Sequence, residues 1–358
     1  MSKVGAYAQL LLSSDGVNPE NQEKAARTAG LQANLQAELY FFESELLALP
    51  DELVKQYLEH PEVKEFSKLI NDILETKPYR LSLETEKTLA ALGEIHSAPY
   101  MIYLRTKAAD MKFDPIEDED HNELAMSFAL YEEKYESSSN TQIRRKATQS
   151  FTKTLKRYQN TFAGTYGTEV KKQVVLSRLR NYPSVTHMLL RPQQVTIEMY
   201  HNQLDIIEKE LAPHMRRFAQ LKQEQLGLDK MLFCDLKAPI DPEYTPEVTF
   251  AEARDLIIDA LQVLGSEYTE IIEEGLYNRW VDLADNVGKS TGAFCSPIYG
   301  VHPYILVTWT DSLSSTFTLA HELGHAGHFA LSSKRQRLVN TRPSTYLVEA
   351  PSTMNELL

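Results

Sequence analysis

Along most of the chain, apolar residues return every three or four positions, the period of a helix with one buried face. The stretch NPENQEKAARTAGLQANLQAELYFFESELLALP opens with Asn18 as a cap and Pro19 at the first helical position, where a proline costs no hydrogen bond. DELVKQYLEHPEVKEFSKLINDILE and LSLETEKTLAALGEIHSAP predict further helices, punctuated at Pro61, Pro78 and Pro99. The same period runs through residues 122–135 and again from 141 to about 180, with the polar turn ESSSN between them. Prolines flank RNYPSVTHMLLRP at 180–192 and mark a boundary there. A helix is then expected over about 193–226, an irregular connection through LFCDLKAPIDPEYTPEVTF, and another helix over about 249–275. YILVTW at 304–309 is the strongest strand candidate, rich in β-branched and aromatic residues. The pattern predicts a predominantly α, multi-helical protein with a small β element. The proline-flanked boundary would set a domain at 181–358 apart from the helical stretch before it.

Composition narrows the function classes. With 358 residues, 42% apolar and 24% charged, the chain can bury a sizeable core. No apolar run is long enough for a membrane helix, and AYAQLLL near the start leads into SSDGVNPE without a small-residue cleavage pattern. Neither a membrane partner nor secretion is expected. Cys234 and Cys295 lie far apart and read as buried thiols in a reducing compartment. The net charge of −13 repels phosphate backbones, and the basic runs RRKATQS and KRQR are too brief to offset it, which argues against nucleic acid.

The chemistry concentrates in TFTLAHELGHAGHFALSS, residues 316–333. Asp311 or Ser312 can cap a helix here, and Phe317, Leu319, Ala320, Leu323, Ala326, Phe329 and Ala330 carry it to about residue 331. His321 and His325 are four apart and share a face, so both imidazoles can meet one zinc ion. Glu322 sits about 100° around the helix, placed to take a proton from a water on that ion without ligating it. A solvated helix could carry two histidines with no such role. Its neighbours here are small and apolar, however, and Gly324 and Gly327 each cost about 1 kcal/mol relative to alanine unless something approaches the backbone closely. His328 is expected to pack or hydrogen-bond within the site rather than ligate. The next carboxylate is Glu349, reached by a polar loop and a second helix expected to start near Ser344 or Thr345. Glu356, seven residues further on, is expected to support a ligating imidazole, with an alternative role as ligand.

These residues resemble the M3 family of zinc metallopeptidases, and within it the oligoendopeptidase F branch. The resemblance is carried by RNYPS, LGLDKMLFCDLKAPI, TGAFCSPIYGVHPYILVTW, FTLAHELGHAGH and VEAPSTMNE. It implies a zincin-like fold with a β element beside the zinc-binding helix. By the same resemblance, residues 1–91 would be an N-terminal helical segment, 92–180 the family's N-terminal lobe and 181–358 its catalytic domain, incomplete at the C-terminus, in a chain truncated at both ends. One zinc ion would be held by His321, His325 and Glu349, with Glu322 as general base. The implied substrates are short unstructured peptides in the cytoplasm, with the strand at 303–309 pairing to them. The alternative is a non-catalytic helical fragment that keeps a zinc site and peptide binding. Oligomeric state is left open.

Overall fold

A computed structural model describes residues 2–241, 243–244, 246–286, 288–290 and 292–358. The described chain is predominantly helical, with five short strands: β1 (Ile116–Glu117), β2 (Glu123–Leu124), β3 (Val281–Asp282), β4 (Phe294–Ser296) and β5 (Tyr304–Leu306). It divides into two compact units, one combining Met1–Pro78 with Thr245–Leu358 and the other spanning Tyr79–Tyr244.

The first unit brings the two ends of the chain together. Helix Ser2–Ser14 is tied to the loop after β3, where Ser290 donates its N–H to Ser13 O at 2.8 Å and Asn286 Nδ2 donates to Ser14 O at 2.9 Å. The next helix, Pro19–Ala48, starts as its sequence predicts, with Asn18 accepting from the Glu20 N–H at 2.9 Å. The core of the unit is built from helices Phe250–Leu261, Ser266–Tyr277 and Leu313–Arg335 against the small sheet. Ile257, Leu261, Ile272, Ile305, Leu319 and Leu323 are all buried there. Burying a side chain of this kind contributes roughly 1.5–3 kcal/mol, which fixes the Leu313–Arg335 helix over the strands. Where one helix was expected over 249–275, two are present. Gly265 takes φ +91°, a conformation other residues avoid, and breaks the run after Leu264.

The sheet order is β3-β5-β4, with β5 parallel to β3 and antiparallel to β4. The strand expected over 304–309 is thus present at Tyr304–Leu306. Val307 and Trp309 extend its bonding, donating to the carbonyls of Asp282 and Leu283. Its central position corrects one expectation: β5 is hydrogen-bonded on both sides and has no free edge for a peptide. The glycine-rich passage before it supplies β4, an outer strand of the sheet and the one most in touch with the Leu313–Arg335 helix.

In the second unit, an aromatic core of Ile116, Tyr131, Tyr135, Ala147 and Phe151 forms against helix Thr141–Arg157. Residues 122–135 were expected to be helical throughout, but Glu123–Leu124 pairs with Ile116–Glu117. The Asp118 carboxylate accepts from the N–H groups of Asp120 and Asn122 at 2.9 and 2.8 Å, and His121 adopts φ +62°. This local turn chemistry competes successfully with helix. The run from 141 to 180 also divides, into Thr141–Arg157 and Gln159–Leu179, at Tyr158.

Beneath these helices lies a buried ion cluster. Asp235, wholly buried, accepts from Arg144 Nε at 3.0 Å and Nη2 at 2.7 Å through Oδ1. Its Oδ2 accepts from Arg145 Nη2 and the Leu232 N–H, each at 3.0 Å. Arg144, also wholly buried, spends its remaining donors on the Ser138 and Ser139 carbonyls and Thr141 Oγ1.

Candidate metal centre

The helix that carries the histidines, Leu313–Arg335, is capped by Ser312, whose Oγ accepts from the Ser315 N–H at 3.1 Å. This resolves the choice between Asp311 and Ser312. A second helix, Glu349–Leu357, begins at Glu349 itself, a few residues later than the chain pattern indicated. The two helices are pressed together by a missing side chain: a Cβ on Gly324 would stand 2.5 Å from Ser352 Cα and 2.7 Å from Pro351 O. Gly327 does the same on the other side, where a Cβ would meet Tyr268 Cε2 at 2.4 Å. The close approach inferred from the two glycines is the one observed.

That approach brings Glu349 to the histidines. Glu349 Oε2 lies 3.2 Å from His321 Nε2 and 3.2 Å from His325 Nε2. The three candidate ligand atoms all fall within 4.8 Å of one another. The rings are 4.9 Å apart and nearly perpendicular, with both Nε2 atoms converging on one carboxylate oxygen. Two imidazole nitrogens and a carboxylate oxygen form a donor set suited to a borderline divalent metal. Burial holds the His325 pKa below its usual value, which favours the neutral ring that a metal needs.

Two carboxylates complete the surroundings in different ways. Glu356 Oε1 makes a short contact with His321 Nδ1, turning the opposite nitrogen toward Glu349. Glu322 is 6% exposed, and its Oε2 has no hydrogen-bond partner. Burial pushes its pKa up to about 7; the nearby Glu349 charge adds to the rise, while His321 and a hydrogen bond from the Cys295 backbone oppose it. A buried acid poised near neutrality beside a metal-competent cluster can exchange protons. His328 contributes no atom to the cluster, and its buried Nδ1 has no partner.

Three supporting side chains are absent from the motif. Asn355 Nδ2 donates to Ala320 O at 3.0 Å, and Tyr268 O–H donates to Asn355 Oδ1 at 3.0 Å. Ser352 Oγ donates to the Glu349 carbonyl at 2.9 Å and to Glu349 Oε2 at 3.0 Å. Asn355 ties its helix to the histidine helix and to Tyr268, while Ser352 acts within its own helix and holds the Glu349 carboxylate. Ser352 is one turn from Glu349, a spacing visible in the chain, whereas the Tyr268 and Ala320 contacts bridge long sequence separations and leave no such signal.

Comparison with known proteins identifies a family. The pattern of peptidase family M3 matches residues 134–358, and that of oligopeptidase F matches residues 45–113. Oligopeptidase PepF of Bacillus subtilis is 32% identical over 359 aligned positions, covering the whole of this chain and 53% of the relative. Group B oligopeptidase PepB of Streptococcus agalactiae is 29% identical, with 99% and 59% covered. Among solved structures, oligoendopeptidase-F from Enterococcus faecium superimposes with a TM-score of 0.68 at 25% identity, covering 99% of this chain and 57% of that one. A Chlamydophila abortus structure superimposes with a TM-score of 0.83 at 27% identity, covering 99% and 59%. The chain thus spans a little over half the length of these relatives.

Proposed function

Since the chain belongs to peptidase family M3, in its oligoendopeptidase F branch, we propose that it hydrolyses internal bonds of short unstructured peptides. In this reading His321, His325 and Glu349 hold one zinc ion and Glu322 is the general base. The catalytic domain would lie within residues 181–358. The observation that carries the reading is the convergence of both Nε2 atoms on Glu349 Oε2 beside the unpartnered, buried Oε2 of Glu322.

When bound, the ion supplies Lewis acidity to a water and to the scissile carbonyl. The chain's own residues do the rest. Glu322 Oε2 takes the water's proton and returns it to the departing amine, a role for which a proton affinity near neutrality is suited. Glu356 and Ser352 orient His321 and Glu349. An extended peptide would pair with β4 rather than β5, because β4 is the outer strand beside the histidine helix. No described helix is long and apolar enough to cross a membrane. The setting we infer is the cytoplasm, supported by two cysteines that are both free thiols.

The test is cleavage of a quenched, unstructured peptide by the zinc-loaded chain, by the chelated chain and by its Glu322→Gln form. Hydrolysis by the first alone, at an internal bond, is the expected result. A folded, zinc-bound chain that leaves every peptide intact would instead establish the alternative of a metal site without catalysis.

A further inference from the structure

Beside the metal cluster, within the same compact unit, lies a cavity of about 580 Å³. Pro297, Ile298, Phe329, Leu338 and Val348 form an apolar side of its wall, and Ser333 and Thr341 add hydroxyl groups. Three of these residues connect it to the site. The Phe329 ring stacks near His325, with centroids 6.1 Å apart; Val348 immediately precedes Glu349; and Pro297 immediately follows β4. Such a volume and lining are typical of a binding subsite.

Among the described residues that line the cavity, Arg342 carries the one charge. Among the described residues no hydrogen bond or ion pair engages its guanidinium. Its neighbours behave otherwise. Arg335 donates to Glu267 at 2.5 Å, and Arg337 is paired with Glu65. Arg342 is exposed, so its guanidinium can meet a group that arrives from solvent. A guanidinium presents a planar fork of N–H donors that matches a carboxylate.

We propose that this cavity is a subsite for a carboxylate of the bound peptide and that Arg342 is its anchor, making Arg342 a specificity-determining residue. The inference rests on the peptidase reading above. The carboxylate can come from an acidic side chain or from the peptide's C-terminus, and the cavity's chemistry is the same for both.

The test is fluorescence anisotropy with the zinc-loaded Glu322→Gln form, which would hold peptides without cutting them. Three sets of labelled short peptides are compared: one carrying Glu at successive internal positions with an amidated end, its Gln counterpart also amidated, and the Gln counterpart with a free C-terminus. One carboxylated set should bind about tenfold more tightly than the fully amidated one, the size expected of a partly solvated charge-assisted pair. Which set gains identifies the source. Adding Arg342→Gln should erase the difference, while Arg342→Lys should keep part of it as a point charge without the fork. Equal affinity across the three sets, or a preference that survives Arg342→Gln, overturns this proposal and leaves the peptidase reading standing. Failure of every peptide to bind overturns both.

Discussion

Asp235 and Glu322 are both buried carboxylates, 0% and 6% exposed, and their surroundings treat them in opposite ways. Burial alone would raise the pKa of each. Around Asp235, hydrogen bonds from Arg145, Arg144 and the Leu232 backbone more than offset that penalty, and its pKa falls below the ordinary carboxylate range. Around Glu322 the penalty prevails: one carboxylate oxygen has no partner, and its pKa rises to about 7. A cluster that satisfies its charge internally holds the fold, whereas one that leaves an oxygen idle beside two imidazoles and a carboxylate able to hold a metal has the chemistry of a site.

The sharpest test of the contrast is Asp235→Ala, which leaves Arg144 buried and unpaired. It should cost about 3–5 kcal/mol, read from the urea midpoint. Because the folded pKa of Asp235 is depressed, the stability it contributes is present above the ordinary carboxylate pKa and is lost as pH falls through the folded value. An undiminished midpoint in the variant would show that the cluster is not a structural anchor.

Glu322→Gln should act in the opposite sense in the chelated protein. With a folded pKa of about 7 against an ordinary 4.5, the folded state binds the extra proton between those values, so stability falls as pH rises across that window. Above pH 7 the variant should be more stable than the parent by on the order of 2–3 kcal/mol, and below pH 4.5 the two should coincide. Thermal melts across pH decide this, and a variant less stable at every pH would sink the raised proton affinity of Glu322.

The helix glycines extend the comparison. Gly324→Ala must push against Ser352 backbone and should destabilise by about 1–3 kcal/mol, again seen in the melt. Glu356→Gln should leave the chelated melt unchanged but lower metal affinity about tenfold in competition with a chelator, because His321 loses its orienting partner. The smallest effect belongs to Gly164→Ala in helix Gln159–Leu179. Nothing lies within 4 Å of the added methyl, and helix propensity should raise stability by up to about 1 kcal/mol.

The site was more legible in the chain than the fold around it. His321, Glu322 and His325 are close in sequence, so helical period alone predicts their relative directions. Gly324 and Gly327 announced a close neighbour without saying which one, since Ser352 and Tyr268 are identified only when the chain has folded back. The β1–β2 turn was missed because Asp118 and His121 impose a local conformation that helical periodicity does not register. The strand at 304–306 was expected, but its place in the middle of the sheet depends on partners at Val281–Asp282 and Phe294–Ser296 that no local pattern specifies.

By itself the sequence determined a helical protein and the spacing of two imidazoles and a carboxylate on one helix, because both follow from residue type and short-range period. Tertiary structure decided that Glu349 Oε2 comes within 3.2 Å of both Nε2 atoms, that Glu322 is buried, and that Arg342 borders a cavity with no counter-charge among the described residues. Proximity, desolvation and an unmet charge are properties of what surrounds a residue, and the packing of distant segments supplies those surroundings.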